Sequence, residues 1–130
     1  MTYQRGLWLF LTLFAGSLSA CANANRVLNS VPMLDQSYQG NYQEVAACTL
    51  HELQILKRFV SPNFQYIPFP SLGYVEIQGT VSSGYTGAMI ASVVRFEDID
   101  GSLFRASVRA VGKVDGNEAI DALRKCTGPD

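Results

Sequence analysis

The sequence is short of the residues from which most catalytic centres are built. It holds one histidine, His51, and three cysteines, Cys21, Cys48 and Cys126. A histidine relay must therefore use His51, and no serine or cysteine stands in a recognisable nucleophile motif. A lone histidine is not a zinc site. Gly79, Gly84 and Gly87 lack the spacing of a phosphate-binding loop and read as strand ends and turns. The expectation is no cofactor, no metal and no enzymatic activity. Net charge is scarce too: the formal value is −1 at pH 7, which gives no electrostatic pull toward nucleic acid. Long hydrophobic runs are missing. The longest, Leu7 to Ala15, lies between Gly6 and Gly16 and gives way to Ser17, Ser19, Asn23 and Asn25. A spanning helix needs about 20 apolar residues, so a permanent transmembrane segment is the lesser reading.

What is present describes an exported, folded domain. Hydrophobic residues make up 48% and charged residues 16% of 130 positions, a balance that suits one domain with one core. One basic side chain, Arg5, precedes the short apolar run, which is the layout of a cleavable signal peptide over residues 1–20. The run ends in Leu18-Ser19-Ala20-Cys21. This resembles the lipobox of bacterial lipoproteins, in which the cysteine thiol accepts diacylglycerol and the chain is cut just before it. The resemblance covers about the first 21 residues. It implies a mature amino terminus at Cys21 held to a membrane by fatty acyl chains, which anchor stably when two or three are present. In Gram-negative members an aspartate after the cysteine retains the protein at the inner membrane. Ala22 stands there, so the resemblance implies the periplasmic face of the outer membrane for a Gram-negative source. Ala20-Cys21-Ala22 and Ala22-Asn23-Ala24 also satisfy the rule for ordinary signal peptidase, and that alternative stays open. Cysteine parity favours lipidation, because it leaves Cys48 and Cys126 to pair.

From Ala22 to about Gly40 the chain is polar and aperiodic, and residues 21–40 read as a lipidated amino terminus and flexible tether. A single α+β domain is expected over 41–130. Asn41 and Glu44 form a capping-box pattern. Val45, Cys48, Thr49, Leu53, Leu56 and Val60 follow at helical spacing, and Ser61-Pro62 stops the helix. Phe64 to Leu72, interrupted by Pro68 and Pro70, is an edge strand or an irregular cover. Tyr74 to Thr80 and Ala88 to Phe96 alternate as half-buried strands. Asp98-Ile99-Asp100-Gly101 joins the latter to Leu103–Val111 in an antiparallel hairpin, with Phe104, Ala106, Val108 and Ala110 facing inward. Asp115 caps a last helix whose apolar side carries Ala119, Ile120, Leu123 and Cys126.

These elements predict a two-layer α+β domain: an antiparallel sheet of three or four strands with both terminal helices on one face. Cys48 and Cys126 lie on the apolar stripes of their helices, so a disulfide joins them in an oxidising compartment. Two reduced buried thiols are the alternative. The candidate binding surface is the aromatic group Phe64, Tyr66, Phe69 and Tyr74, with Phe59, as a ledge for a partner or lipid; its plain alternative is core and cover. Arg95, Arg105 and Arg109 form a possible strip for anionic headgroups or glycans, tempered by Glu76 and Glu97. Glu97, Asp98 and Asp100 suit a solvated turn better than a calcium site. The favoured function is a membrane-anchored, non-catalytic envelope protein that binds or scaffolds another envelope component. A carrier of a small apolar ligand or lipid is the second reading and a small envelope enzyme the third.

Overall fold

A computed structural model describes residues 26–56, 62–83 and 87–128. Residues 1–20, which the pattern reads as a signal peptide, and Cys21 and Phe59 lie outside the described residues. Seven principal elements follow one another: β1 (Leu34–Gln39), α1 (Tyr42–Gln54), β2 (Asn63–Phe69), β3 (Tyr74–Ser83), β4 (Gly87–Asp98), β5 (Leu103–Ala110) and α2 (Lys113–Thr127). The strands form one antiparallel sheet in the order β1-β5-β4-β3-β2. β2 to β5 make a meander, and β1 closes the other edge by pairing with β5. Both helices pack on one face, α1 against β2, β3 and β4, and α2 against β4 and β5. The α+β two-layer architecture is as the pattern predicts, with five strands in place of three or four.

The fifth strand corrects the tether. Leu34–Gln39 pairs residue for residue with Leu103–Val108, so its backbone is held by hydrogen bonds along β5. Its sequence signal is faint because only Leu34 and Tyr38 offer apolar contacts and both are partly buried. Gln36, between them, is opposite Ala106. Order extends further back still. Val27 is buried, and Ser30 returns to its carbonyl through both the backbone N–H (3.2 Å) and the hydroxyl (2.7 Å). The folded domain therefore includes residues 26–40.

α1 starts where the capping pattern places it: the Asn41 side chain accepts from the backbone N–H groups of Gln43 and Glu44. It ends at Gln54, earlier than the apolar spacing suggested. α2 begins two residues before the expected cap. Gly112 is the N-cap and makes no side-chain cap bond, while Asp115 sits inside the first turn, where a carboxylate faces the positive end of the helix dipole.

Alternation along the strands sends Val75, Ile77, Val94, Phe96, Phe104, Ala106 and Val108 to the helix side. There they meet Ala46 and Leu53 of α1 and Ala119, Ile120, Ala122 and Leu123 of α2. Phe96 and Phe104 are fully buried, their ring centroids 6.2 Å apart. Gly79 is required for packing: a Cβ there would sit 2.8 Å from the Phe64 ring and 2.7 Å from the Ser92 hydroxyl. Gly101 turns the β4–β5 hairpin at φ +85°.

Cys48 and Cys126 form a disulfide, with an S–S distance of 2.03 Å and Cα atoms 5.9 Å apart. The pairing is as expected, but the location differs. Cys48 is exposed and Cys126 half-buried, so the bond clips α1 to α2 at their flank instead of lying within the core. Ala46, Thr49 and Leu53 are the residues α1 buries. Among the described residues no helix is long and apolar enough to cross a membrane.

Candidate functional site

The helices cover one face of the sheet; the opposite face carries the most organised polar surface in the described residues. The register fixes its layout. One row runs across the sheet as Ile67, Glu76, Arg95, Ser107 and Asp35; the next holds Phe69, Tyr74, Glu97, Arg105 and Ser37; a third begins with Gln65, Gln78, Val93 and Arg109. Glu76 thus neighbours Arg95, and Glu97 neighbours Arg105, at the spacing of adjacent strands, about 4.8 Å.

Arg95 is held most firmly. Its Nε and Nη2 both donate to Glu76 Oε1, at 2.9 and 2.6 Å, and its guanidinium carbon lies 4.5 Å from the centroid of the Tyr74 ring. Glu76 is 3% exposed, and its other oxygen accepts from the Gln78 amide at 2.9 Å. A carboxylate so removed from water needs these donors, since burying it unpaired is costly. Arg105 grips Asp35 through two parallel N–H donors. The hydrogen bond from Arg105 holds the Asp35 carboxyl below its usual range, against a smaller opposing effect of burial, with the charges of Arg105 and Arg109 adding to the depression. The same pairing raises the Arg105 guanidinium. Arg109 is held by neutral oxygens, donating from Nε to the Ser30 carbonyl (3.1 Å) and from Nη1 to the Ser107 hydroxyl (3.0 Å).

Between these side chains lies a shallow hollow of about 160 Å³ lined by Asp35, Arg95, Glu97, Arg105, Ser107 and Arg109. Its chemistry is recognition by hydrogen bonds and charge: three guanidinium groups fixed by their own partners, beside carboxylates and a hydroxyl. Planar donors pre-oriented in this way lose little entropy when they meet carbonyl, carboxylate or phosphate oxygens.

The arginine strip therefore exists, but its charges are largely neutralised within the sheet. The sequence pattern names Arg95, Arg105, Arg109, Glu76 and Glu97 on this face, and strand alternation adds Ser107 between Arg105 and Arg109; it does not bring in Asp35 or Ser30. Asp35 and Ser30 had been assigned to the tether, and only the β1–β5 register brings Asp35 to Arg105, 70 positions away in the chain.

The aromatic ledge does not form as one surface. Phe64 and Tyr66 are opposite Gly79 and Ile77 on the helix side, whereas Phe69 and Tyr74 pair on the open side, their rings stacked at 4.7 Å. Strand alternation is the reason: β2 continues unbroken through Pro68, so even and odd positions diverge. Phe64 packs against the core and fills the space over Gly79. Tyr66 is half-exposed, and partial burial raises its hydroxyl pKa.

Asp98 and Asp100 organise their own turn. Asp98 Oδ1 accepts from Gly101 N at 2.7 Å, and Asp100 Oδ1 from Ser102 N, Ser102 Oγ and Leu103 N at 3.1, 3.1 and 2.8 Å. These bonds depress the Asp100 carboxyl. His51 is exposed near the end of α1. No group of three or more His, Cys, Asp or Glu residues suited to a metal ion occurs among the described residues. Compared with protein-family models, curated proteins and solved structures, the chain matches none.

Proposed function

We propose that this chain is a lipid-anchored cell-envelope protein, acylated on Cys21, which works without catalysis by presenting the polar face of its sheet to another envelope component. The carrying observation is the Cys48–Cys126 disulfide. With those two thiols paired, Cys21 is the odd cysteine of the three, and it stands at the end of Leu18-Ser19-Ala20-Cys21. Ala22 after the cysteine supports placement at the outer membrane for a Gram-negative source. The binding part of the reading is supported by the fixed guanidinium groups of Arg95, Arg105 and Arg109 on a sheet face that the two helices leave uncovered. A protein surface offering carboxylates and carbonyls fits that chemistry better than a nucleic acid does, because the carboxylates of Glu76, Glu97 and Asp35 repel a polyanion.

Mass spectrometry of the membrane-extracted protein tests the anchor. The expected result is an amino-terminal peptide beginning at Cys21 with acyl chains attached, and a Cys21→Ala protein that is neither processed in the same way nor retained in membranes. A mature chain beginning at Ala22 or later and free of lipid would end this reading. For the face, a photoreactive residue in place of exposed Ser37 should give a discrete adduct in intact cells. That adduct should disappear in the Arg105→Ala background, while a probe at Gln54 on α1 gives none.

A further inference from the structure

We infer that one end of the domain, formed by Val31, Met33, Val111 and Val114 with Arg26 and Lys113, is a bilayer-contact surface that seats the domain directly on the membrane; this rests on acylation of Cys21. Three observations converge on that end.

The first is apolar exposure. Val31, Val111 and Val114 are 87%, 52% and 63% exposed and Met33 is 40% exposed. They account for four of the eight exposed large hydrophobic residues that the described chain carries. Isolated exposed valines are ordinary, but these come together. Met33 donates its backbone N–H to Val108, and its side chain lies over Gly116 beside the Cβ of Ala110. Val111 follows Ala110 directly, Val114 sits in the first turn of α2, and Val31 is two residues from Met33.

The second is charge. Arg26 and Lys113 are exposed; Lys113 adjoins Val114, and Arg26 adjoins Val27, whose carbonyl accepts from Ser30, with Arg109 close by through its bond to the Ser30 carbonyl. Asp115 is the carboxylate near them, 3.8 Å from where a Cβ on Gly112 would lie. Cations around an apolar patch match anionic lipid headgroups.

The third is chain length. Val27 is buried and belongs to the fold, and only Ala22 to Arg26 separate it from Cys21. Even fully extended, that stretch spans no more than about 22 Å. Because residues 26–40 are built into the domain, Val27 lies at most about 22 Å from the acylated Cys21, so this end is the part of the domain held nearest the bilayer. The hairpin turn at Ile99 lies at the other end of the eight-residue β5, about 27 Å away along the strand. A bilayer is therefore the occupant that the anchor geometry delivers to the patch.

The single tryptophan, Trp8, falls in the cleaved segment, so the mature protein carries no native indole and accepts one as a probe. Full-length lipoprotein with Val114→Trp, and separately with Ile99→Trp, is purified with its lipid and reconstituted in vesicles of phosphatidylethanolamine and phosphatidylglycerol containing dibrominated acyl chains. The expected result is blue-shifted emission for Val114→Trp, quenched by bromine at least about twofold more than Ile99→Trp, as for a side chain at the headgroup–acyl boundary. Equal, weak quenching of both with Cys21 acylated overturns the inference and leaves the anchor standing. A blue shift without bromine quenching overturns it too, assigning the patch to a protein surface or a second copy of the chain. Absence of acyl chains on Cys21 overturns anchor and inference together.

Discussion

The two faces of the sheet are built by the same strands and held together by opposite means. On the helix side, Phe96, Phe104, Ala106 and Val108 are fully buried against α1 and α2, and the Cys48–Cys126 bond ties those helices to each other. On the open side Arg95 and Arg105 bond carboxylates and Arg109 bonds neutral oxygens; Glu76 and Val93 are buried there, while the Arg105 and Asp35 side chains are 54% and 30% exposed. Apolar burial is non-directional and scales with area, so the covered face supplies stability. Exposed ion pairs add little net energy but fix side-chain directions, so the open face supplies a defined surface. The fold thus separates what keeps the domain together from what it can offer to another molecule.

The contrast can be broken, and the largest effects belong to the covered side. Replacing Cys48 and Cys126 by serine, or reducing the bond, frees a loop closed across a sequence separation of 78. In the chain-entropy model this loses about 4–5 kcal/mol, read as a large fall in the chemical unfolding midpoint. A loss below about 1 kcal/mol would mean that the helices hold each other without the clip. Phe104→Ala leaves a cavity beneath the hairpin and should lose about 3–5 kcal/mol by the same measurement.

The open face gives smaller, graded effects. Arg95→Ala leaves Glu76, whose side chain is 4% exposed, short of two donors, and should cost about 2 kcal/mol, as for a buried acceptor left unsatisfied. Restoring most of it by a second change, Glu76→Gln, would identify the uncompensated charge as the cause. Arg105→Ala should change the unfolding midpoint barely at all, because its pair with Asp35 is solvent-accessible, while removing the Ser37 adduct in cells. A large stability loss from Arg105→Ala would collapse the distinction between the faces.

The smallest effect is with pH. The Asp35 carboxyl is depressed in the folded state, chiefly by its hydrogen bond from Arg105. Its contribution is therefore complete above the ordinary carboxylate range and is lost as pH falls through the lowered value. The difference in unfolding midpoint between the native chain and Asp35→Asn should shrink steadily as pH falls from about 5 to about 3. A difference that grows on acidification would contradict the assigned direction.

Local pattern was enough wherever one residue's neighbours decide its state. Asn41 caps α1 because its side chain needs only the next turn of backbone, and the inward set Phe104, Ala106, Val108 follows from a two-residue period that any half-buried strand obeys. The Asp98–Gly101 turn and the antiparallel hairpin belong to the same class. α2 starts ahead of Asp115, the cap that the pattern predicts, because its N-cap is Gly112, which has no side chain to mark the position.

Contacts between distant segments were decided by the tertiary structure alone. β1 is an edge strand whose outer positions stay polar, so it carries almost no periodic signal, and its place beside β5 comes from hydrogen bonds along that strand's free edge. That pairing carries Asp35 to Arg105 and Ser30 to Arg109, and so completes a polar site of which the arginines, Glu76 and Glu97 were legible. The division of Phe64 and Tyr66 from Phe69 and Tyr74 onto opposite faces likewise depended on β2 running straight through its proline. The sequence by itself determined the elements other than β1, the inward faces and the Cys48–Cys126 pairing, because those depend on periodicity and parity. The register between segments determined the open face, because backbone hydrogen bonding brings residues together without leaving a mark on either segment alone.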